Sequence, residues 1–418
     1  MTRGAAAAVR SPATWLLTLA IVLIALNYRG PIVAVAPVLD DVRSDLALSA
    51  VVAGLLTSIP VLCFAIASPP ASALIARIGP ERAVTVSLLG VLLGTLLRSV
   101  GGEAWLVLGT VVIGLAITIG NVVLPVVIRR DFSPARSGLA TGVYTSALNV
   151  GSMLTSLGTA PLAGVVGWPV ALLAWGVLVL VAVVVWSVAV GPRTAFGRQA
   201  LDEAEAAGVD VVTGEVAVVT EAEAAAARRA AVPLLRRATT WGLTLAFAGQ
   251  AFGYYGLTAW MPTLLADEVG LTREGAGASS AVFQILAVVG ALGVPLLALR
   301  VRPAVVIGLV AVLWTAMPLG LLFAPQAWLL WSIIGGAAQG GGITIVFIVI
   351  VRMATTDTDA RRLSALVQGG GYALAALGPL AIGGLHDASG AWTVPLLAVF
   401  ASVLVLGVSG VLSSRRVA

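Results

Sequence analysis

Apolar stretches long enough to cross a bilayer recur from one end of this 418-residue chain to the other. A hydrocarbon core about 30 Å thick takes about 20 apolar residues per helical crossing. Hydrophobic residues make up 59% of the chain and charged residues only 10%, against about a quarter charged in soluble domains. A water-soluble globular protein is excluded, and a polytopic all-α membrane protein is expected. Cys63 is the single cysteine and His386 the single histidine, so disulfides, zinc sites and Cys/His nucleophile pairs are excluded by count. No metal and no cofactor is expected. The net charge of +5 is a matter of topology and implies no nucleic-acid partner. All 24 basic residues are arginine; a GC-rich genome accounts for most of that, although arginine's fork is also the better oxyanion ligand.

Apolar runs between charged or Pro/Gly breaks place spans at 14–38, 50–76, 82–100, 104–128, 137–160, 169–190, 240–263, 277–299, 303–323, 327–351, 363–385 and 391–413. Twenty arginines then fall on one side, while Arg43, Arg98 and Arg273 fall on or near the other. The positive-inside rule puts both termini in the cytoplasm. The first run has a basic start like a signal peptide, but it is too long and eleven more spans follow, so it reads as an uncleaved helix. One hydrophilic segment, 191–238, separates residues 1–190 from 239–418, with six spans in each. Its acidic, alanine-rich body ends in RRAAVPLLRR at 228–237, which reads as a solvated cytoplasmic linker, with anionic-lipid contact as the alternative.

The halves look like repeats. NYRGPIVAVAPVLDDV at 27–42 corresponds to YYGLTAWMPTLLADEV at 254–269, and RSGLATGVYTSAL at 136–148 to RRLSALVQGGGYAL at 361–374. Two similar six-helix halves are the signature of a transporter that rocks one half against the other around a midplane site.

Arg29 lies roughly 20 Å into the first span at 1.5 Å per residue, where an arginine costs about 2.5 to 3.5 kcal/mol or more. Snorkelling to the outer interface is one reading. Pairing with a buried carboxylate fails, because none of the 19 acidic residues lies inside a span. An unpaired guanidinium facing a cavity is a candidate anion ligand. The uncharged polar residues Asn27, Tyr28, Asn121, Tyr144, Asn149, Gln250, Tyr254, Tyr255, Gln284, Gln339, Gln368 and Tyr372 concentrate on spans 1, 4, 5, 7, 8, 10 and 11. Each would be unremarkable alone as an interhelical hydrogen bond. Together they mark cavity-lining helices, and the nearly featureless spans 3, 6, 9 and 12 are expected to face lipid. The repeat alignment sets Tyr254 and Tyr255 near the depth of Arg29. Arg98, at the outer end of the third span, reads as an interface anchor, and His386 reads as an outer-loop residue. The glycine-rich GGAAQGGG at 335–342 would let helices approach closely or bend; it lies inside an apolar span and is no phosphate loop.

The blocks LNYRGPIVAVAPVLDDVRSDLALS (26–49), LTSIPVLCFAIASPPASALIARIG (56–79), GNVVLPVVIRRDF (120–132), TGVYTSALN (141–149) and QGGGYALAALGPLAIGGLHDASGAW (368–392) together resemble the cyanate transporter family, the CynX/NimT branch of the major facilitator superfamily. The resemblance covers nearly the whole chain apart from 191–238. It implies twelve helices in two pseudo-symmetric six-helix bundles, a bacterial plasma-membrane location and movement of a small solute, cyanate import and 2-nitroimidazole export being the family's named activities. The facilitator gating motif expects an Asp where this chain has Ala76, while Arg77, Gly79 and Arg82 keep its pattern, so other contacts must hold the inward gate. The favoured reading is a secondary transporter, monomeric in the bilayer, for a small anion such as cyanate, another oxyanion or a carboxylate. Its binding residues would be Arg29 with Asn27, Tyr28, Asn121, Tyr144, Asn149, Gln250, Tyr254, Tyr255, Gln339, Gln368 and Tyr372. The nearest alternative is an efflux carrier for a neutral or nitro-aromatic heterocycle. A membrane enzyme is disfavoured by the lack of any His, Cys or carboxylate cluster in or beside the spans, and a sensor by the lack of a folded domain outside them.

Overall fold

The computed structural model describes residues 14–132, 134–196, 236–353 and 357–415. Most of the 191–238 linker and the first thirteen residues lie outside this set. In hydrocarbon every backbone N–H and C=O must be satisfied within the protein, which leaves the helix as the local solution for apolar runs of this length. Among the described residues the elements are α1 (Thr14–Val33), a 3₁₀ turn (Ala36–Val38), α2 (Leu39–Leu46), α3 (Ala50–Ile78), α4 (Pro80–Arg98), α5 (Glu103–Asp131), α6 (Pro134–Val166), α7 (Trp168–Ala174), α8 (Gly176–Val190) and α9 (Pro192–Phe196). After the linker come α10 (Ala238–Val269), α11 (Arg273–Ala298), α12 (Pro303–Phe323), a second 3₁₀ turn (Pro325–Ala327), α13 (Trp328–Met353), α14 (Asp357–Ala375), α15 (Leu377–Ser389) and α16 (Thr393–Ser414). Taking α7 with α8 and α14 with α15 as single broken passes, twelve helical passes result.

Local chemistry sets the breaks. Ser49 caps α3 by accepting from the Val52 N–H at 3.2 Å, and Thr272 caps α11 in the same way through Gly275 at 3.3 Å. Gly79 parts α3 from α4 at φ +82°, a conformation that favours glycine, and Pro80 follows at the first turn of α4, where its missing N–H costs nothing. The first span is shorter than the sequence suggests. Gly30 and Pro31 weaken its end, α1 stops at Val33, and the chain turns through the 3₁₀ segment into α2.

Ten passes are apolar enough by length and composition to cross a membrane; α6 and α10 are not among them. Both sit at the centre, α6 packing against α1 and α11, and α10 against α14, α15 and α16. Their polar residues, including Asn149, Ser152, Thr155, Gln250 and Thr258, are buried in protein. By contrast α4, α8, α12 and α16 turn Leu93, Val184, Val312 and Val408 outward, as lipid-facing helices should. The two halves touch where α6 meets α11 and where α3 meets α14 and α15. The glycine-rich 335–342 segment serves close approach, since Gly336 and Gly340 lie on the backbone of α11 at Phe283 and Ala287.

Two expectations are corrected here. Arg98 is no interface anchor: only 1% of it is exposed, and its Nη1 donates to the Pro31 carbonyl at 2.7 Å. The early end of α1 leaves carbonyls without helical partners, and a cation there also meets the negative end of the helix dipole. His386 is no loop residue either. It lies on α15, half-buried and stacked on Trp392 with ring centroids 4.0 Å apart.

Candidate transport cavity

Between the halves lies a cavity of about 850 Å³. It runs from the depth of Tyr28 and Arg29 toward the end of the bundle that carries Arg352, and a branch of about 720 Å³ continues past Ser72 and Ser364. Its walls come from α1, α3, α5, α6, α10, α11, α13 and α14. None comes from α4, α7, α8, α12 or α16. Eight helices from both halves therefore converge on one space.

Arg29 is its central feature. The Nη1 atom donates to Asn149 Oδ1 at 2.9 Å, and the Asn149 amide is oriented by its own bond from Nδ2 to the Thr145 carbonyl at 3.1 Å. The guanidinium carbon sits 5.0 Å from the Tyr254 ring centroid. Among the described residues Arg29 forms no ion pair, and their acidic members stand at helix ends. A guanidinium has five donors in a fixed fork, so Arg29 keeps capacity for a planar anion.

The predicted residues do not all gather here. Tyr28, Arg29, Asn121, Tyr144, Asn149, Tyr255, Gln339, Gln368 and Tyr372 line the cavity. Tyr144 donates to Asn121 Oδ1 at 3.3 Å, and Gln368 Nε2 to Ser364 Oγ at 2.7 Å. Three stand apart from the lining. Asn27 ties α1 to α8 through the Leu178 carbonyl at 3.2 Å; Gln250 donates to the Gln339 carbonyl at 2.7 Å; Tyr254 is buried behind Arg29, its hydroxyl donating to Gln284 Oε1 at 3.1 Å. Residues that sequence reasoning missed include Phe64, Phe347 and Arg352. Tyr372 makes edge contacts with Phe64 at 5.6 Å and Phe247 at 4.9 Å, which gives one wall an aromatic surface. Arg352, close to the mouth, also donates to the Ala298 carbonyl at the end of α11, 2.7 Å away.

The far end of the bundle is shut by contacts between the halves. Thr263 donates to Asp40 at 3.1 Å, Arg43 lies 3.6 Å from Asp387, and its guanidinium carbon is 5.6 Å from the Trp260 ring centroid. Two glycines let the backbones meet beneath this cluster: a Cβ on Gly54 would fall 2.6 Å from the Pro379 carbonyl, and one on Gly277 would fall 2.5 Å from that of Ser156. At the open end, the gating-pattern residues Arg77 and Arg82 form no ion pair among the described residues; Arg130 instead bridges Glu81 at 2.6 Å and Asp131 at 2.7 Å. Those carboxylates raise the Arg130 pKa and keep it charged. All three lie in one half, so they join α4 to α5 and do not close the mouth.

Residues 17–317 match the Major Facilitator Superfamily. The chain belongs to that superfamily. It is 30% identical over 397 residues to the 2-nitroimidazole transporter of Escherichia coli K12, covering 94% of each chain. It is 28% identical over 378 residues to the cyanate transport protein CynX of the same organism, covering 89% of this chain and 90% of the relative. Its fold is that of solved facilitators: a bacterial homologue of the lysosomal transporter Spinster superposes with a TM-score of 0.70 at 15% identity, with 97% of each chain covered. The facilitator is a multi-pass membrane transporter and not an enzyme, and its resemblance to the CynX/NimT branch holds.

Proposed function

We propose that this facilitator moves a small anion, such as cyanate, another oxyanion or a carboxylate, by alternating access between residues 1–190 and 239–418. It works as a monomer in a bacterial plasma membrane with both termini cytoplasmic, and 191–238 tethers the halves. The observation that carries this reading is Arg29, a charge with no carboxylate partner among the described residues, held against a cavity by Asn149 and Tyr254. An arginine at this depth of a span is costly and marks a pathway or ligand site by default, and the relatives include a cyanate transport protein. A second reading, a nitro-aromatic heterocycle, draws on the aromatic wall at Phe64, Phe347 and Tyr372 and on the 2-nitroimidazole relative.

Purified protein titrated with cyanate, nitrate, short carboxylates and 2-nitroimidazole separates the two. Under the anion reading the charged ligands bind and Arg29→Gln abolishes that binding. If only the nitroimidazole binds, and Arg29→Gln leaves it in place, the anion reading falls.

A further inference from the structure

We infer that Tyr254 is a positioning residue, which supports the face of the Arg29 guanidinium from the opposite half of the protein so that its N–H edge meets the anion. The assignment rests on the anion reading above. Tyr254 is 3% exposed and is not part of the cavity lining, so it reaches the ligand only through Arg29. A cation over an aromatic face is held by the ring quadrupole, worth more when water is excluded. A guanidinium held by a ring and not by a carboxylate keeps N–H groups available for hydrogen bonds.

Two further contacts hold the ring, each backed by a contact of its own. Its hydroxyl donates to Gln284 Oε1 at 3.1 Å, and Gln284 Nε2 in turn donates to Thr258 Oγ1 at 3.4 Å. Behind it Phe283 stacks at 6.2 Å and 22°, and Phe283 stacks on the fully buried Trp314 at 5.7 Å and 25°. An aromatic column therefore runs from the core of the second half to Arg29 at the cavity floor. An arginine side chain loses rotamer entropy when held. The column and Asn149 meet that loss before an anion arrives, so the bound geometry is preorganised.

The test is calorimetric titration of the full-length purified protein with sodium cyanate and sodium benzoate. Tyr254→Leu should weaken binding about tenfold, whereas Tyr254→Phe should lose no more than about twofold, because the ring remains. A packing role alone would follow ring volume. Phenylalanines with one, two and three ring fluorines, incorporated at position 254, keep the shape while draining the ring face, so Kd should rise at each step. They also carry the test if the leucine variant fails to fold. A flat series, with binding abolished in Arg29→Gln, overturns the positioning role alone. Wild-type affinity in Arg29→Gln overturns the anion reading and this assignment with it.

Discussion

Two arginines in the same half of the protein, Arg29 half-buried at the cavity and Arg98 fully buried, are expected to answer differently to mutation. Arg29→Lys keeps the charge but loses the planar two-donor fork, so affinity for a bidentate oxyanion should fall by about tenfold or more, one strong hydrogen bond being worth about 1.5 to 3 kcal/mol. Titration of the lysine variant checks this, and a wild-type Kd would show that charge alone suffices. Arg98 has Pro31 as its partner, while its Nε and Nη2 are buried without one. Arg98→Met should therefore lower the melting temperature, with a loss of about 1 to 3 kcal/mol, and leave the anion Kd within about twofold. A Kd that fell in step with stability would place Arg98 in the binding machinery. Depth along a span could not separate these residues beforehand. Arg29 was conspicuous because it lay far from either end, but Arg98 lay close enough to an end for snorkelling to explain it, and only packing shows α5 and α1 closing over it.

At the scale of elements the closed end belongs to α2 and the helices it grips. Arg43 touches Asp387 on α15 and Trp260 on α10, while Gly54 seats α3 on α15. A methyl group at Gly54 has nowhere to go except by parting the halves, because the atom it meets is backbone. Gly54→Ala, and more weakly Arg43→Gln, should shift the population toward a state open at this end. Spin labels on Ser44→Cys and Ala388→Cys in a Cys63→Ser background report the separation directly; an unchanged distance distribution in Gly54→Ala would refute the wedge argument. Exposed ion pairs contribute about 0 to 1 kcal/mol, so the glycine variant should have the larger effect. The runs that became α3, α4 and α11 were readable as apolar spans, and the structure ends them at Ser49, Gly79, Pro80 and Thr272. The split of the first span into α1, a 3₁₀ turn and α2 was not, because its apolar run continues past the backbone break at Gly30 and Pro31.

For the whole molecule, energy coupling is constrained by what the spans lack. Many proton-coupled carriers use a membrane-embedded carboxylate, and the acids among the described residues sit at helix ends, with Asp267 bonded to Trp392 at 2.9 Å. Uptake into proteoliposomes under an imposed pH gradient should therefore survive His386→Gln and neutralisation of Asp267, Glu268 or Asp387. Accumulation lost in any of these variants, with binding retained, would identify a protein proton carrier. With Arg29 the only charge at the cavity floor among the described residues, electrogenic uniport, anion exchange or a proton travelling with the substrate needs no protein proton carrier.

Where the helical passes lie was legible in the sequence, because each must satisfy its own backbone hydrogen bonds and ten of them are apolar over a membrane's width, both of which are local demands. The lipid-facing helices were legible for the same reason, since α8, α12 and α16, and α4 apart from Arg98, carry little that needs a protein partner. The face of a helix that turns toward the cavity was not local. Consecutive residues point about 100° apart on an α-helix, so Tyr254 and Tyr255 looked equivalent in the chain, yet Tyr255 lines the cavity while Tyr254 stands behind Arg29 against Phe283. Asn27 and Gln250 were likewise drawn into interhelical bonds, and Arg352, outwardly one more positive-inside charge, joined the mouth of the cavity. Rotation of each helix about its axis is set by its neighbours' ridges and grooves, which come from segments up to hundreds of residues away, and so only the packed structure decided it.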